Sequence, residues 1–372
     1  MKIAIRGTGR FGQYIANQIR RNNNYTIAFF IDSNADLWGK NVDGIPIISS
    51  DDLQNKYQND VNIVLVAYMN SIENFNEIVK SETLKYGFIR NRVFEAKLQL
   101  KEDLLQDTNI VWSNAPYLNK PILRSLETNI VDDCNLNCRG CSHFSNLFEH
   151  GSRVPFEIFC KDLAKVSEHV YIHQFNMLGG EAILNDRIIE YIEFTRETLP
   201  HSEIELISNG LLIPKQSEAF FECCRKNDIT ISISGYKPTL LIQDEICKVL
   251  ERYNITYIFR KDVTEFGKNI DLSGSADIYE AVKRCRENKC HFLRYGKIYK
   301  CPFEALGNKF FSHYGLDIRF DGGTDIYDLD INWEELISKL YSDPIDACKY
   351  CGKEEKIAWG VSNHPSIDDW TI

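Results

Sequence analysis

The chain has 372 residues, 44% of them hydrophobic, and a formal net charge of −10 at pH 7. This length suits two or three domains rather than one. The acidic balance argues against a nucleic-acid binder, which would carry a basic face. No apolar run reaches the length of a membrane span, and MKIAIRGTGR reads as strand and turn rather than signal peptide, so a cytoplasmic protein with no membrane partner is expected.

KIAIRGTGRFG predicts a short strand, then Gly7, Gly9 and Gly12 in G-x-G-x-x-G spacing, then a helix to about Arg21. TIAFFID is a second strand ending at Asp32, DDLQNKY a helix and VNIVLVA a third strand. Glycines between strand and helix, with an acid 20 residues past Gly12, form the pattern of a dinucleotide site: pyrophosphate on the loop, ribose on Asp32. The same glycines also serve close helix–strand packing with no ligand, and both readings stay open. Residues 1–95 resemble the small Rossmann-like domains of polysaccharide-biosynthesis proteins, on the segment FFIDSNADLWGKNVDGIPIIS. That resemblance implies a nucleotide-sugar or glycan setting. Residues 96–121 have weak periodicity and read as a linker.

From residue 122 to 262 strands and helices alternate. The strands are SLETNIV, IHQFNML, EIELIS, DITISIS and ITYIFRKD. The helices begin at PFEIFCKDLAKVSEHV, with Pro155 in its first turn, and continue with DRIIEYIEFTRETL, SEAFFECCRKN and LLIQDEICKVLERY. The class is α/β, with a parallel β/α barrel or part of one. The first four strands end in cysteines, Gly179-Gly180-Glu181, Ser208-Asn209-Gly210 and Ser234-Gly235-Tyr236. The C-terminal strand ends of such barrels form the active rim, although each cluster alone is also ordinary turn chemistry.

Twelve cysteines in a chain expected in a reducing compartment point to metal or catalysis rather than disulfides. Cys160, Cys223, Cys224 and Cys247 are scattered and read as small buried apolar side chains. Cys134, Cys138 and Cys141 stand in C-x3-C-x2-C spacing. Structural zinc takes four ligands, which His143 would complete. A cubane 4Fe–4S cluster held by only three thiolates keeps one iron open. An S-adenosylmethionine amino and carboxylate pair suits that open iron, and its reductive cleavage is a source of radicals.

On this spacing, and on LGGEAIL, the chain resembles the radical SAM superfamily over about 122–262. The resemblance implies a partial (β/α)6 barrel, a 4Fe–4S cluster on Cys134, Cys138 and Cys141, and S-adenosylmethionine held by Gly179, Gly180, Glu181, Ser208, Asn209 and Ser234. His143 then becomes a neighbour of the cluster or the substrate. The aromatic residue that often precedes the third cysteine is Gly140 here. The implied electron donor is a reduced flavodoxin or ferredoxin.

Residues 263–372 carry Cys285, Cys290, Cys301, Cys348 and Cys351, with GKIYKC hairpin-like and Asp330 to Lys339 helical around Trp333. A zinc knuckle would use four of these thiols. The order C-x(9–15)-G-x4-C, then C-x2-C, resembles the SPASM or Twitch extension, with Gly296 as its glycine. It implies one small auxiliary-cluster domain with one further 4Fe–4S cluster, because no cysteine follows Cys351. The pattern favours Cys285 over Cys290 as the fourth ligand. The expected activity is hydrogen abstraction from a small, sugar-derived substrate, giving dehydrogenation or epimerisation. The alternatives are a peptide-modifying maturase and a non-catalytic iron–sulfur or nucleotide-sensing protein. The catalytic residue is left unassigned.

Overall fold

A computed structural model describes residues 2–20, 26–57, 60, 61, 63–66, 93–99, 109–114, 120–200, 202–260, 263–285 and 290–372. The chain divides into two compact units, Met1–Lys120 and Pro121–Ile372. The end of the expected strand VNIVLVA and the segment 67–92 lie outside the described residues. Among the described residues no helix is long and apolar enough to cross a membrane.

The first unit is built on strands β1 (Lys2–Arg6), β2 (Thr26–Ile31), β3 (Asn41–Val42), β4 (Ile45–Ile48), β5 (Ile63–Val66), β6 (Val93–Gln99) and β7 (Asn109–Asn114). Their order is β3-β4-β2-β1-β5-β6-β7. The parallel run β4-β2-β1-β5-β6 is the doubly wound order with its switch point at β1. Ile3, Ile5 and Phe30 are buried in the sheet and pack with Ile15 and Ile19 of helix Arg10–Arg20. The stretch expected as a linker is corrected by the structure. β6 adds parallel to β5, and β7 pairs antiparallel with β6 through six residue pairs. An edge strand buries less than a central one, so its pattern is weaker.

The second unit holds β8 (Ile122–Val131), β9 (Tyr171–Gly179), β10 (Glu203–Ser208), β11 (Ile229–Ser234), β12 (Tyr257–Arg260), β13 (Glu265–Ile270), β14 (His291–Arg294), β15 (Lys297–Tyr299), β16 (Thr324–Asp325) and β17 (Cys351–Ala358). β8 to β12 run parallel in sequence order, with helices Phe156–His169, Ile188–Thr198, Glu218–Lys226 and Gln243–Arg252 between them. The sixth parallel strand, β14, stands beside β8 rather than beyond β12. β13 pairs with β17 in a separate two-stranded ribbon, and its Ile270 also bridges Thr371. The auxiliary region therefore shares one sheet and one compact unit with the barrel, where a separate domain from 263 was expected. β14 and β15 form the anticipated hairpin, whose turn places Tyr295 and Gly296 at φ 46° and 73°. The helix expected at 330–339 runs Trp333–Ser342, capped by Asn332.

Alternation along the strands separates two faces. Leu126, Phe175, Leu206 and Ile231 pack into the core together with the helices' Phe159, Leu163, Tyr191 and Phe221. Of the four scattered thiols, Cys223 and Cys224 are buried in that core as expected, whereas Cys160, packed against it, and Cys247 are only half-buried. The opposite face carries a register row of polar side chains: Glu127 faces Asn176, Asn176 faces Glu205, and Glu205 faces Thr230.

Candidate active site

The loop after β8 is fastened at both ends. Asp132 is fully buried and accepts two 2.9 Å hydrogen bonds from the Arg294 guanidinium, with a further bond from Ser152. This fork ties β14 to the start of the cysteine loop. Removing one partner of a buried pair strands the other charge. Arg294→Ala should therefore cost on the order of 3–5 kcal/mol, measured as a fall in the denaturation midpoint; an unchanged midpoint would remove the fork from the account.

β9 ends directly against this loop. Gly180 N donates to Val131 O and Glu181 N to Asp133 O, both at 3.0 Å. A Cβ on Gly179 would lie 1.9 Å from Val131 O, and one on Gly180 2.0 Å from Asp133 O. No side chain fits at either position, so the paired glycines allow the two strand ends to touch. Gly180→Ala should lower stability and separate the thiols from Glu181, checked by thermal denaturation and by iron content after reconstitution.

Glu181 is completely buried and joins three strand ends. Its Oε1 accepts from Ser208 Oγ at 2.7 Å and Ile183 N at 3.1 Å; its Oε2 accepts from Asn209 N at 2.7 Å. Burial raises its pKa against these three donors. A carboxylate offers about four acceptor positions, so one on Oε2 remains for an ammonium donor. Ser208, expected to touch a ligand, commits its proton to Glu181 and accepts from Gly210 N. Its local task is bracing. Asn209 Nδ2 donates to Asn135 Oδ1 at 2.7 Å and reaches Cys134 Sγ at 3.8 Å. Asn135 was not foreseen, because nothing marks one asparagine inside a cysteine motif. Ser234 lies half-buried at the end of β11, where its carbonyl accepts from Tyr236 N at 2.9 Å; the Tyr236 pKa is raised by burial and then by Cys138 and Cys141.

Cys134, Cys138 and Cys141 are neighbours. Burial pushes the Cys134 thiol up to about 12, and Glu181 and the other two thiols add to the shift. Burial likewise carries Cys138 up to about 11. A bound metal would reverse this by holding both as thiolates. His143, the fourth ligand of the zinc reading, turns its Nδ1 to Asn129 Oδ1 at 2.9 Å and its ring edge to Phe292. Burial drives its pKa down to about 4. Among the described residues no three His, Cys, Asp or Glu side chains converge on one point as a single ion requires. Ligands of a cubane stand apart around a cage, and three thiols beside an accepting carboxylate suit that larger group.

Gly140 has φ +64°, and a Cβ there would lie 2.8 Å from Asp369 O. An aromatic residue is excluded at this position because the chain's C-terminal segment occupies the space. Trp359 Nε1 donates to Cys138 Sγ at 3.3 Å, Trp370 Nε1 to Cys141 O at 2.8 Å, and Arg139 pairs with Asp369 at 2.7 Å. Sequence reading missed all three contacts, which link positions more than 220 residues apart.

Three of the later cysteines, Cys285, Cys301 and Cys348, gather around Lys300. Cys285 ends helix Ile278–Arg284, Cys301 caps helix Pro302–His313, Cys348 lies within the 3-10 turn Asp346–Tyr350, and Cys351 ends that turn. Burial lowers the pKa of Lys300, opposed by Cys348, Cys285 and Cys301. Cys301 is raised well above the usual thiol range by burial, then by Cys351 and Cys285. Cys290 immediately precedes β14.

In the N-terminal unit Asp32 turns onto the glycine loop. It accepts from Thr8 N at 3.1 Å and from the Thr8 hydroxyl, and from Asn34 N at 2.9 Å. Burial would raise its pKa, but these bonds and Arg6 hold it low. A Cβ on Gly12 would meet Gly7 O at 2.0 Å, whereas one on Gly9 would meet nothing within 4 Å. Gly12 thus serves packing and Gly9 leaves open space.

Residues 1–84 match the family described as C2185-like, N-terminal. The chain is 27% identical over 135 residues to the GTP 3′,8-cyclase of Alkaliphilus oremlandii (strain OhILAs) and 26% over 125 residues to that of Aquifex aeolicus (strain VF5). These matches cover 35% and 32% of this chain and span 42% and 38% of the relatives. Over this stretch the chain is similar to proteins of the radical SAM superfamily. Among solved structures, BtrN in complex with AdoMet and 2-DOIA aligns over 63% of this chain and 94% of its own, at 14% identity and TM-score 0.40. In this chain the cysteine loop, the Gly-Gly-Glu turn and the Ser-Asn-Gly turn share one strand-end rim.

Proposed function

We propose that the protein is an enzyme that cleaves S-adenosylmethionine reductively and uses the radical to take hydrogen from a small, sugar-derived substrate. The observation that carries this reading is the joining of Cys134, Cys138 and Cys141 to Gly179-Gly180-Glu181 through backbone bonds at one rim. When bound, a 4Fe–4S cluster with S-adenosylmethionine supplies an electron that releases a 5′-deoxyadenosyl radical and methionine. The three thiols would hold the cluster, and the open acceptor position of Glu181 would orient the amine.

The row Glu127, Asn176, Glu205 and Thr230 supports a hydroxyl- or amine-bearing substrate. Gln174 Nε2 donates to Asn176 Oδ1 at 2.9 Å, and Arg260 lies 3.5 Å from Glu205. Burial raises the pKa of Glu205. Such a face binds by hydrogen bonds rather than apolar contact. Cys285, Cys301, Cys348 and Cys351 suit one auxiliary cluster, which would accept an electron in a dehydrogenation. Ring-deuterated sugar phosphates and nucleotide sugars should pass deuterium into 5′-deoxyadenosine, read by mass spectrometry. Deuterium arriving only from labelled peptides would move the substrate class to peptides.

A further inference from the structure

The C-terminal segment brings one donor to one thiol of the cysteine motif. Cys138 and Val361 form an antiparallel bridge, Arg139 N donates to Gly360 O at 2.8 Å, and Ser362 N to Asn137 O at 3.0 Å. Trp359 is fixed between these bonds and its own, from Trp359 N to Thr264 O at 2.8 Å. Its ring stacks on Tyr236 with centroids 5.3 Å apart and planes at 20°. The indole N–H therefore has little freedom, and it points at Cys138 Sγ from 3.3 Å.

An N–H donor favours a sulfur ligand more strongly as its negative charge grows, and hydrogen bonds to the sulfurs are among the determinants of cluster potential. One-electron reduction of a cluster on Cys134, Cys138 and Cys141 adds one negative charge, spread partly onto those sulfurs. We infer that Trp359 tunes the SAM cluster: its N–H bond to the Cys138 thiolate raises the cluster's reduction potential and eases electron entry. This rests on the cluster assignment made under the proposed function. Trp370 offers an internal comparison, because its indole donates to the Cys141 carbonyl rather than to a sulfur.

The test uses the full chain, reconstituted anaerobically with ferrous iron and sulfide and titrated with dithionite. The signal followed by electron paramagnetic resonance is the one that S-adenosylmethionine perturbs. Absence of that signal in the unaltered protein would defeat the cluster assignment itself. Trp359→Phe keeps the ring on Tyr236 and removes only the N–H. With unchanged iron content, its reduced-to-oxidised ratio at a fixed potential should fall about tenfold, equivalent to about 59 mV for one electron, while Trp370→Phe stays near the unaltered protein. An unmoved midpoint in Trp359→Phe, or an equal shift in Trp370→Phe, would overturn the inference. If Trp359→Phe fails to hold iron, deuterium exchange of the unaltered protein decides: the Fe–S stretches of the signal-bearing cluster should shift, and unshifted stretches overturn it.

Discussion

Cys138→Ala should lower iron from about eight to about four atoms per chain, if each cluster is a four-iron cubane. It should also abolish 5′-deoxyadenosine formation. Two thiolates cannot hold a cage whose fourth iron stays open, and Cys138 is the thiol that both the loop and Trp359 hold in place. Cys134 and Cys141 would remain, and burial already lifts the Cys134 thiol to about 12. Iron that stays near eight would remove Cys138 from the cluster.

The second large effect separates Cys285 from Cys290. Cys285 acts with Cys348 and Cys301 on Lys300, and with Cys351 on Cys301. Cys285→Ala should cost about four iron atoms and the final product, while part of the S-adenosylmethionine cleavage survives on the other site. Cys290→Ala should keep both clusters. Iron counts after anaerobic purification decide the matter, and a complete Cys285→Ala protein would transfer the role to Cys290.

The strand–helix alternation of 122–262 was legible because central parallel strands flanked by amphipathic helices repeat strong apolar runs such as EIELIS and ITISIS. The cysteine spacing and Gly-Gly-Glu were legible because the contacts they make are local or set by backbone shape. The edge strand β7 was not, since pairing on one side alone leaves a weak pattern. The position of β14 beside β8 was also hidden: four residues, HFLR, carry no sign of which edge they join. Trp359, Trp370 and Asp369 escaped because their partners are distant in the chain, although Gly140 was a trace of them. A glycine at an expected aromatic position marks a place already filled by another segment.

The central claim is that Cys134, Cys138 and Cys141 hold a cluster that cleaves S-adenosylmethionine. Anaerobically reconstituted protein, given dithionite and S-adenosylmethionine, should form 5′-deoxyadenosine and methionine, detected by chromatography and mass spectrometry. No 5′-deoxyadenosine, together with one zinc ion per chain in protein purified without air, would contradict it.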